Sequence, residues 1–206
     1  MTVVCDWEVY MVYQDLSRKN AETKVLHSAI NREIKNCIDA RTERPTVAAL
    51  IEWRGRYLII SSANGSHGGF YTLGIPKGAV VTAETALSAL RREVREELGI
   101  RRQLSVKGYL GAYSVRSLTQ SKGFATKRYF VFHVLYSGKK KLRINGELSG
   151  YYWMTISEVR DVLSHIREAR IEKFETLTHV FDTIEAWRQT NQEKQKKKKR
   201  KKRPGQ

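Results

Sequence analysis

Apolar residues recur along the chain with two spacings, and these separate predicted helices from predicted strands. Residues 21–40 carry apolar side chains three and four positions apart, which is typical of an amphipathic helix that ends before Pro45. Short runs rich in β-branched and aromatic residues predict strands. They are VVCDWEVYMVY (3–13, one strand or two short ones), TVAALIEW (46–53), RYLIISSA (56–63), KGYLGAYSVRS (107–117), KRYFVFHVLYSG (127–138) and GYYWMT (150–155).

Helical spacing returns in three later segments. The first runs from Thr82, a predicted N-cap, to about residue 98, and Gly99 suits a left-handed C-cap. Its predicted buried stripe is Leu87, Leu90, Val94 and Leu98. The other two helices are predicted at 156–166 and 169–187. From Thr46 the order is therefore strand, strand, helix, strands and helices, which is typical of an α/β fold.

Composition indicates a soluble globular protein, since 41% of the residues are hydrophobic and 29% are charged. No apolar run approaches the roughly 20 residues that span a bilayer. The N-terminus carries acids where a signal peptide would have a basic start. We therefore expect an intracellular protein without membrane association, cytoplasmic or, in a eukaryotic host, nuclear. The two cysteines, Cys5 and Cys37, fit reduced thiols.

The net charge of +17 is unevenly distributed. Residues 191–206 contribute +8, from nine Lys/Arg and one Glu, which leaves +9 on residues 1–190. The segment 191–206 lacks apolar side chains to bury and repels itself, so the composition predicts a disordered basic tail. A polyanion-binding arm, a nuclear-import signal and a solubilising terminus all fit it. The charge on the remainder suits an anionic substrate.

Three glutamates form the most informative cluster. Glu93, Glu96 and Glu97 are spaced by three and four residues, so a helix would place them on one face. Like charges at this separation repel, and a divalent cation with oxygen ligands would remove that cost. Mg²⁺ is the usual occupant of such a site beside substrate phosphates. The spacing therefore suggests a metal site for phosphate chemistry.

The same segment resembles the Nudix box, the motif G-x5-E-x7-R-E-U-x-E-E-x-G-U in which U is a bulky aliphatic residue. Every specified position matches: Gly78, Glu84, Arg92, Glu93, Val94, Glu96, Glu97, Gly99 and Ile100. The resemblance covers about residues 46–187 and implies the Nudix fold, a mixed sheet between helices. It divides the chain into an N-terminal extension (1–45), a Nudix hydrolase domain (46–190) and the basic tail (191–206).

The resemblance also implies a ligand set for Mg²⁺, or for Mn²⁺ in its place. Glu96 and Glu97 would be the principal ligands, and Glu93 would be a further ligand or would orient the attacking water. Gly78 stands where the family uses a backbone carbonyl as a ligand, and a residue without a side chain allows close approach.

The resemblance to the Nudix family also implies roles for Arg92, Glu84 and Glu147. Arg92 would hold a glutamate through a bidentate fork. Glu84 would act indirectly, through a water molecule or through Arg92. Related enzymes often place another glutamate shortly before a tryptophan on a late strand, as a metal ligand or general base. Glu147, six residues before Trp153, matches that placement.

Candidate phosphate contacts come from the segment Ile75-Pro76-Lys77-Gly78, which resembles the entry to the box in hydrolases of diadenosine polyphosphates. Pro76 stiffens the turn and Lys77 would reach a phosphate as a point charge. Lys127 and Arg128, at the start of a predicted strand, are second candidates.

The resemblance implies metal-dependent hydrolysis of a pyrophosphate linkage by an in-line water, with Glu93 or Glu147 accepting the proton. Nucleoside or dinucleoside polyphosphates are the first substrate class. A 5′-triphosphorylated or capped RNA held by the basic tail is the alternative. A non-catalytic Nudix module that binds nucleic acid is a third hypothesis. The sequence leaves the oligomeric state and the role of residues 1–45 open.

Overall fold

One mixed sheet with helices on both faces organises the described part of the chain, residues 14–16, 20–62, 72–121, 124–166 and 171–201 of a computed structural model. The described strands are β1 (Gln14–Asp15), β2 (Arg44–Trp53), β3 (Arg56–Ser62), β4 (Thr72–Gly74), β5 (Lys77–Ala79), β6 (Leu104–Ser121), β7 (Phe124–Tyr136) and β8 (Leu148–Met154). The described helices are α1 (Ala21–Ala40), α2 (Ala86–Leu98), α3 (Ile156–Ile166) and α4 (Ile171–Lys201).

The strand order is β1-β6-β7-β2-β3-β4, with β5 also paired to β2 and β8 paired to β3. The β2–β7 pair is parallel and the other pairs are antiparallel, so the predicted mixed α/β sheet is confirmed. The strands and helices predicted between residues 46 and 166 are all present. The strand predicted at 3–13 lies outside the described residues.

Successive residues of β2 alternate between two apolar cores. Val47, Ala49 and Ile51 pack on the face that carries α1 and α2. Ala48 and Leu50 pack on the face that carries α3 and α4. All five are at most 2% exposed, which explains why this strand is almost continuously apolar.

The two ends of β2 have different partners. At its start, Val47 pairs with Gly78 of β5, and this region is called the box end below. At its other end, Trp53 pairs with Arg56 across the tight turn of Arg54 and Gly55, and this region is called the hairpin end. Val47 and Glu52 are five residues apart, so the two ends are separated by about 16 Å along the strand.

Helix α1 packs into the same core as the rest of the domain. Its boundaries agree with the prediction, and Asn20 caps it by accepting a hydrogen bond from the Thr23 amide (2.9 Å). Ile30 and Ile34 are buried against the sheet. The Asn31 side chain accepts a hydrogen bond from the Ala86 amide at the first turn of α2 (2.9 Å). Helix α1 therefore supports the position of α2.

The N-terminus of α2 differs from the prediction. Thr85, rather than Thr82, is the N-cap, and it forms a reciprocal capping box with Ser88. The prediction was wrong because Ala83 takes a left-handed conformation (φ 71°), which breaks the helix before residue 84. The prediction of Gly99 as the left-handed C-cap is confirmed (φ 67°).

Helix α4 extends further than its composition predicts. It continues to Lys201, whereas residues 191–206 were predicted to have no folded structure; residues 202–206 lie outside the described part. Lys, Arg, Gln and Glu are good helix formers, so a helix packed over residues 177–188 can propagate into them without further tertiary contacts. Within the described residues, no helix is long and apolar enough to cross a membrane.

The packing of α1 predicts a position-dependent loss of stability. Ile34 is 2% exposed and Val25, on the same helix, is 68% exposed. We expect Ile34→Ala to lower the free energy of unfolding by about 2–4 kcal/mol, because it leaves a cavity between α1 and the sheet. Val25→Ala should change it by less than about 0.5 kcal/mol. Urea unfolding measures both, and equal effects would contradict the packing of α1.

Candidate active site

The contact between Gly78 and Glu93 fixes the centre of the site. The carboxyl group of Glu93, on α2, lies so close over Gly78, on β5, that a Cβ atom at residue 78 would overlap it. Any residue with a Cβ at position 78 would therefore force the Glu93 carboxyl group to move. Burial raises the pKa of the Glu93 carboxyl, while its hydrogen bond from Arg92 opposes that shift.

Arg92 organises the acids around it. Its Nε donates to Glu84 Oε1 (2.7 Å) and its Nη2 to Glu84 Oε2 (2.9 Å), which is the bidentate fork that the sequence predicted. Nη2 also donates to the Ala79 carbonyl (2.9 Å), and Nη1 donates to Glu93 and to Glu96. The hydrogen bonds from Arg92 lower the pKa of Glu84.

Glu97 is the acid with an unsatisfied atom. Its Oε2 is buried and, among the described residues, has no hydrogen-bond partner. The backbone N–H of Lys77 donates to its carboxyl group, yet burial raises its pKa to about 7, and the nearby charges of Glu93 and Glu147 act in the same direction. A buried carboxylate oxygen without a partner is costly unless a cation or a proton occupies the position beside it.

Glu147 lies at the edge of the same group. It is exposed, in the turn before β8, and its amide donates to Asn145 Oδ1 (3.1 Å). The Asn145 amide in turn donates to the Glu97 carbonyl at the end of α2 (3.0 Å). This loop carries Glu147 near enough to Glu97 for its charge to raise the pKa of Glu97. The structure therefore brings together the glutamates that the sequence selected.

The side chains of these acids do not form a complete set of metal ligands in their present positions. Among the described residues there is no group of three or more His, Cys, Asp or Glu side chains placed to hold a metal ion. Glu96 is 48% exposed and bonds to Arg92 (3.2 Å), so it would have to turn away from Arg92 to join Glu97 as a ligand. The unpartnered oxygen of Glu97 and the all-carboxylate donor set nevertheless fit a hard divalent cation.

Lys77 and Lys127 are cations on the α4 side of the sheet. Lys77 pairs with Ala48 in the β5–β2 register, and Lys127 lies opposite Val115 in the β7–β6 register. Burial lowers the pKa of Lys77; the charge of Glu97 opposes this shift and that of Lys127 adds to it. Burial also lowers the pKa of Lys127, and Arg44 adds to that effect. Burial thus disfavours the charged form of both lysines.

A cavity of about 50 Å³ adjoins Lys77. Its lining is mostly apolar, and two of its wall residues come from α4, about a hundred residues away in sequence from the box. The lining includes Ala48, Ile75, Lys77, Tyr129, Leu177 and Val180. The sequence does not identify the α4 residues as part of this cavity, because their apolar spacing indicates only that the helix is buried on one side.

Arg128 has a different environment. Because strand residues alternate, it faces α1, and its guanidinium pairs with Glu33 of α1 (Nε to Oε1, 2.6 Å). It also pairs with Glu43 (3.5 Å) and donates to Ser114 Oγ (2.9 Å). The structure does not bring Arg128 together with Lys77 and Lys127, so the substrate contact predicted for it has no support from its position. The contacts of Arg128 instead connect α1 to the sheet.

Comparison with known proteins identifies the family of the chain. Residues 42–194 match the family model of the NUDIX domain. Nucleoside triphosphatase NudI of Klebsiella pneumoniae (strain 342) is 29% identical over 127 residues, covering 58% of this chain and 86% of that protein. NudI of Escherichia coli O139:H28 is 30% identical over 117 residues, covering 54% and 82%.

Solved structures share the fold. An Ap4A hydrolase of C. elegans in a binary complex has a TM-score of 0.52 at 16% identity and covers 70% of this chain and 96% of that one. A NUDIX hydrolase of Nitrosomonas europaea has a TM-score of 0.51 at 22% identity, with coverage of 67% of this chain and 88% of that one.

The chain belongs to the NUDIX domain family, whose model matches residues 42–194. It is a Nudix hydrolase, an enzyme that acts on phosphoanhydride bonds.

The close approach at Gly78 predicts a specific coupling. We expect Gly78→Ala to lower the free energy of unfolding by about 1–3 kcal/mol, because the new Cβ displaces the Glu93 carboxyl group. The cost should fall sharply when Glu93→Ala removes that group. Gly146→Ala is the matched control, since a Cβ there meets nothing within 4 Å. Urea unfolding of the four variants measures the coupling, and an additive double mutant would contradict it.

Proposed function

We propose that this enzyme hydrolyses a phosphoanhydride bond of a nucleoside polyphosphate or dinucleoside polyphosphate with the help of a divalent cation. The observation that carries the proposal is the buried, unpartnered Oε2 of Glu97 beside Lys77. A carboxyl group and a lysine of lowered pKa beside each other suit a substrate that brings both a cation and phosphate oxygens. Nudix hydrolases generally use divalent metal ions, and Mg²⁺ is our first choice, with Mn²⁺ as a substitute.

The residues that would hold the cation are Glu93, Glu96 and Glu97, the Gly78 carbonyl and, from its loop, Glu147. When bound, the cation would neutralise phosphate oxygens and lower the pKa of an attacking water. Arg92 keeps Glu84 ionised and orients Glu93, so its role is positioning. Glu93 or Glu147 would accept the proton of the water. Glu147 is the more accessible of the two, since it is exposed whereas Glu93 is 14% exposed.

The substrate class rests on the cations and the cavity on the α4 side. Lys77 and Lys127 would neutralise phosphate oxygens next to the acids, and the apolar cavity beside Lys77 would take part of a nucleoside. The matched relatives are named nucleoside triphosphatases, and one structural neighbour is named an Ap4A hydrolase. These names agree with a nucleotide substrate.

The runner-up substrate, the 5′ end of an RNA held by the basic tail, is less well supported. Residues 191–201 follow Arg188, which bonds to Glu52 at the hairpin end (2.7 Å). They continue the helix for up to about 20 Å beyond Arg188, away from Lys77. An RNA terminus at Glu97 would therefore have to cross the whole domain to reach the basic segment.

The metal-ligand assignment predicts a large loss of turnover. We expect Glu97→Gln and Glu96→Gln each to reduce kcat at least about a hundredfold with the fold retained. The measurement is phosphate and pyrophosphate release from a panel of nucleoside and dinucleoside polyphosphates with Mg²⁺ and with Mn²⁺. Glu158→Gln, which removes an exposed carboxylate on α3, is the control and should leave kcat within about twofold.

Two results of that panel would contradict the proposal. Near-normal activity in well-folded Glu96 and Glu97 variants would refute the ligand assignment. An inert wild-type protein across the whole panel would favour the non-catalytic module instead.

The phosphate contact predicts an effect on substrate affinity. Lys77→Gln should raise KM for the best nucleotide about tenfold or more, because it removes a charged hydrogen-bond donor from the phosphate chain. Lys127→Gln should raise KM less, since the charge of Lys77, and not that of Lys127, is among the main influences on the pKa of Glu97. Lys35→Gln, on the exposed face of α1, is the matched control. Steady-state kinetics measures each KM, and an unchanged KM for Lys77→Gln would refute the contact.

A further inference from the structure

The hairpin end of the domain carries positive charge that the catalytic reaction does not use. Trp53 Nε1 donates to the Gly138 carbonyl (2.9 Å) and Trp153 Nε1 donates to the Lys140 carbonyl (2.9 Å), which fixes the loop after β7 beside the Arg54-Gly55 turn. The loop after α2 joins it, because the Ser137 amide donates to the Gln103 carbonyl (3.1 Å). Six exposed cations meet there: Arg54, Arg101, Arg102, Lys139, Lys140 and Lys141.

No acidic partner for these six cations is found among the described residues. None takes part in an ion pair within the described residues, although Arg54 lies over the ring of Trp53 (5.0 Å to its centroid). The nearest strand acid, Glu52, is already bonded to His133 (2.8 Å) and to Arg188 (2.7 Å). The hairpin end therefore presents a positive surface to solvent.

Helix α4 adds a second set of cations to the same end. Its packing fixes its direction: Val180 lies at the cavity beside Lys77, Phe181 packs on Tyr57 (5.4 Å between centroids), and Arg188 reaches Glu52. The helix thus runs from the box end to the hairpin end. Beyond residue 190 it carries one acid, Glu193, and seven cations, which are Lys194, Lys196, Lys197, Lys198, Lys199, Arg200 and Lys201.

We propose that the hairpin end and residues 191–201 of α4 together bind the phosphate backbone of a nucleic acid, at a surface separate from the catalytic site. The charge density matches a polymer with regularly spaced phosphates. Residues 191–201 have no apolar side chains, which argues against a helix that inserts into a membrane surface. They also have no aromatic residues to stack on bases, so the binding is independent of sequence.

The separation of the nucleic-acid surface from the catalytic site allows both to be occupied at the same time. A nucleic acid bound at the hairpin end leaves Glu97 and Lys77 free, because they lie at the other end of β2. The enzyme would therefore hydrolyse small nucleotides while held on a nucleic acid.

Three variants that each remove three positive charges test the proposal. They are Lys196→Gln/Lys197→Gln/Lys199→Gln on α4, Lys139→Gln/Lys140→Gln/Lys141→Gln at the hairpin end, and Lys24→Gln/Arg32→Gln/Lys35→Gln on the exposed face of α1 as the matched control. The probe is a fluorescently labelled single-stranded RNA with a 5′-hydroxyl group, which offers the active site no phosphoanhydride bond. Anisotropy titrations over a salt series give the affinity and its salt dependence.

We expect each of the first two variants to weaken RNA binding about tenfold or more at about 0.1 M salt, and to make the salt dependence shallower by about 0.7 for each lost phosphate contact. The α1 control should change affinity much less. All three should keep the wild-type kcat/KM for the best free nucleotide. The test stands whether or not the proposed substrate is correct, because RNA binding is measured without catalysis.

Four outcomes would overturn the proposal. An equal loss of affinity in the α1 control would mean that net charge alone drives binding. Wild-type RNA affinity in either of the other two variants would show that the residues changed in that variant do not bind RNA. A parallel fall in kcat/KM for nucleotides would show that the surface is not separate from the catalytic site. Binding to phosphatidylserine-containing vesicles but not to RNA would assign the surface to a membrane.

Discussion

The repulsion among the acids of α2 is the constraint on which the site depends, and Arg92 is the residue that relieves it. Its guanidinium bonds to Glu84, Glu93 and Glu96 and to the Ala79 carbonyl, so one cation supports three carboxylates and connects α2 to β5. Glu97 is not among these partners, and its buried Oε2 has no hydrogen-bond partner within the described part of the chain. The network thus pairs the acids around Arg92 and leaves Glu97 as the carboxyl group that is available to a cation or a proton.

Local sequence patterns predicted the elements that depend on local interactions. The bounds of α1, the C-cap at Gly99 and the Arg92–Glu84 fork follow from spacing and from the Nudix motif. The N-cap of α2 could not be predicted in this way, since both Thr82 and Thr85 are acceptable caps and the left-handed turn at Ala83 decides between them. The extent of α4 was also missed, because composition does not reveal that a packed helix precedes the basic run.

The remainder of the site depends on which face of the sheet a side chain takes. Lys127 and Arg128 are neighbours in sequence and look equivalent, but β-strand alternation sends one toward α4 and the other toward α1. Arg128 then finds Glu33 and Glu43, residues of a segment that the sequence alone could not position. The cavity beside Lys77 depends on Leu177 in the same way. Long-range packing therefore decides which basic residues remain available to a substrate.

Distance along β2 separates the acids of the candidate site from the exposed cations of the hairpin end. The acids lie at the box end with Lys77, and the exposed cations lie at the hairpin end, about 16 Å further along β2. At physiological ionic strength this distance is about two Debye lengths, so the cations at the hairpin end do little to neutralise the acids. A counter-charge or a proton for the buried Glu97 carboxyl group therefore has to be supplied at the box end itself, even in a protein of net charge +17.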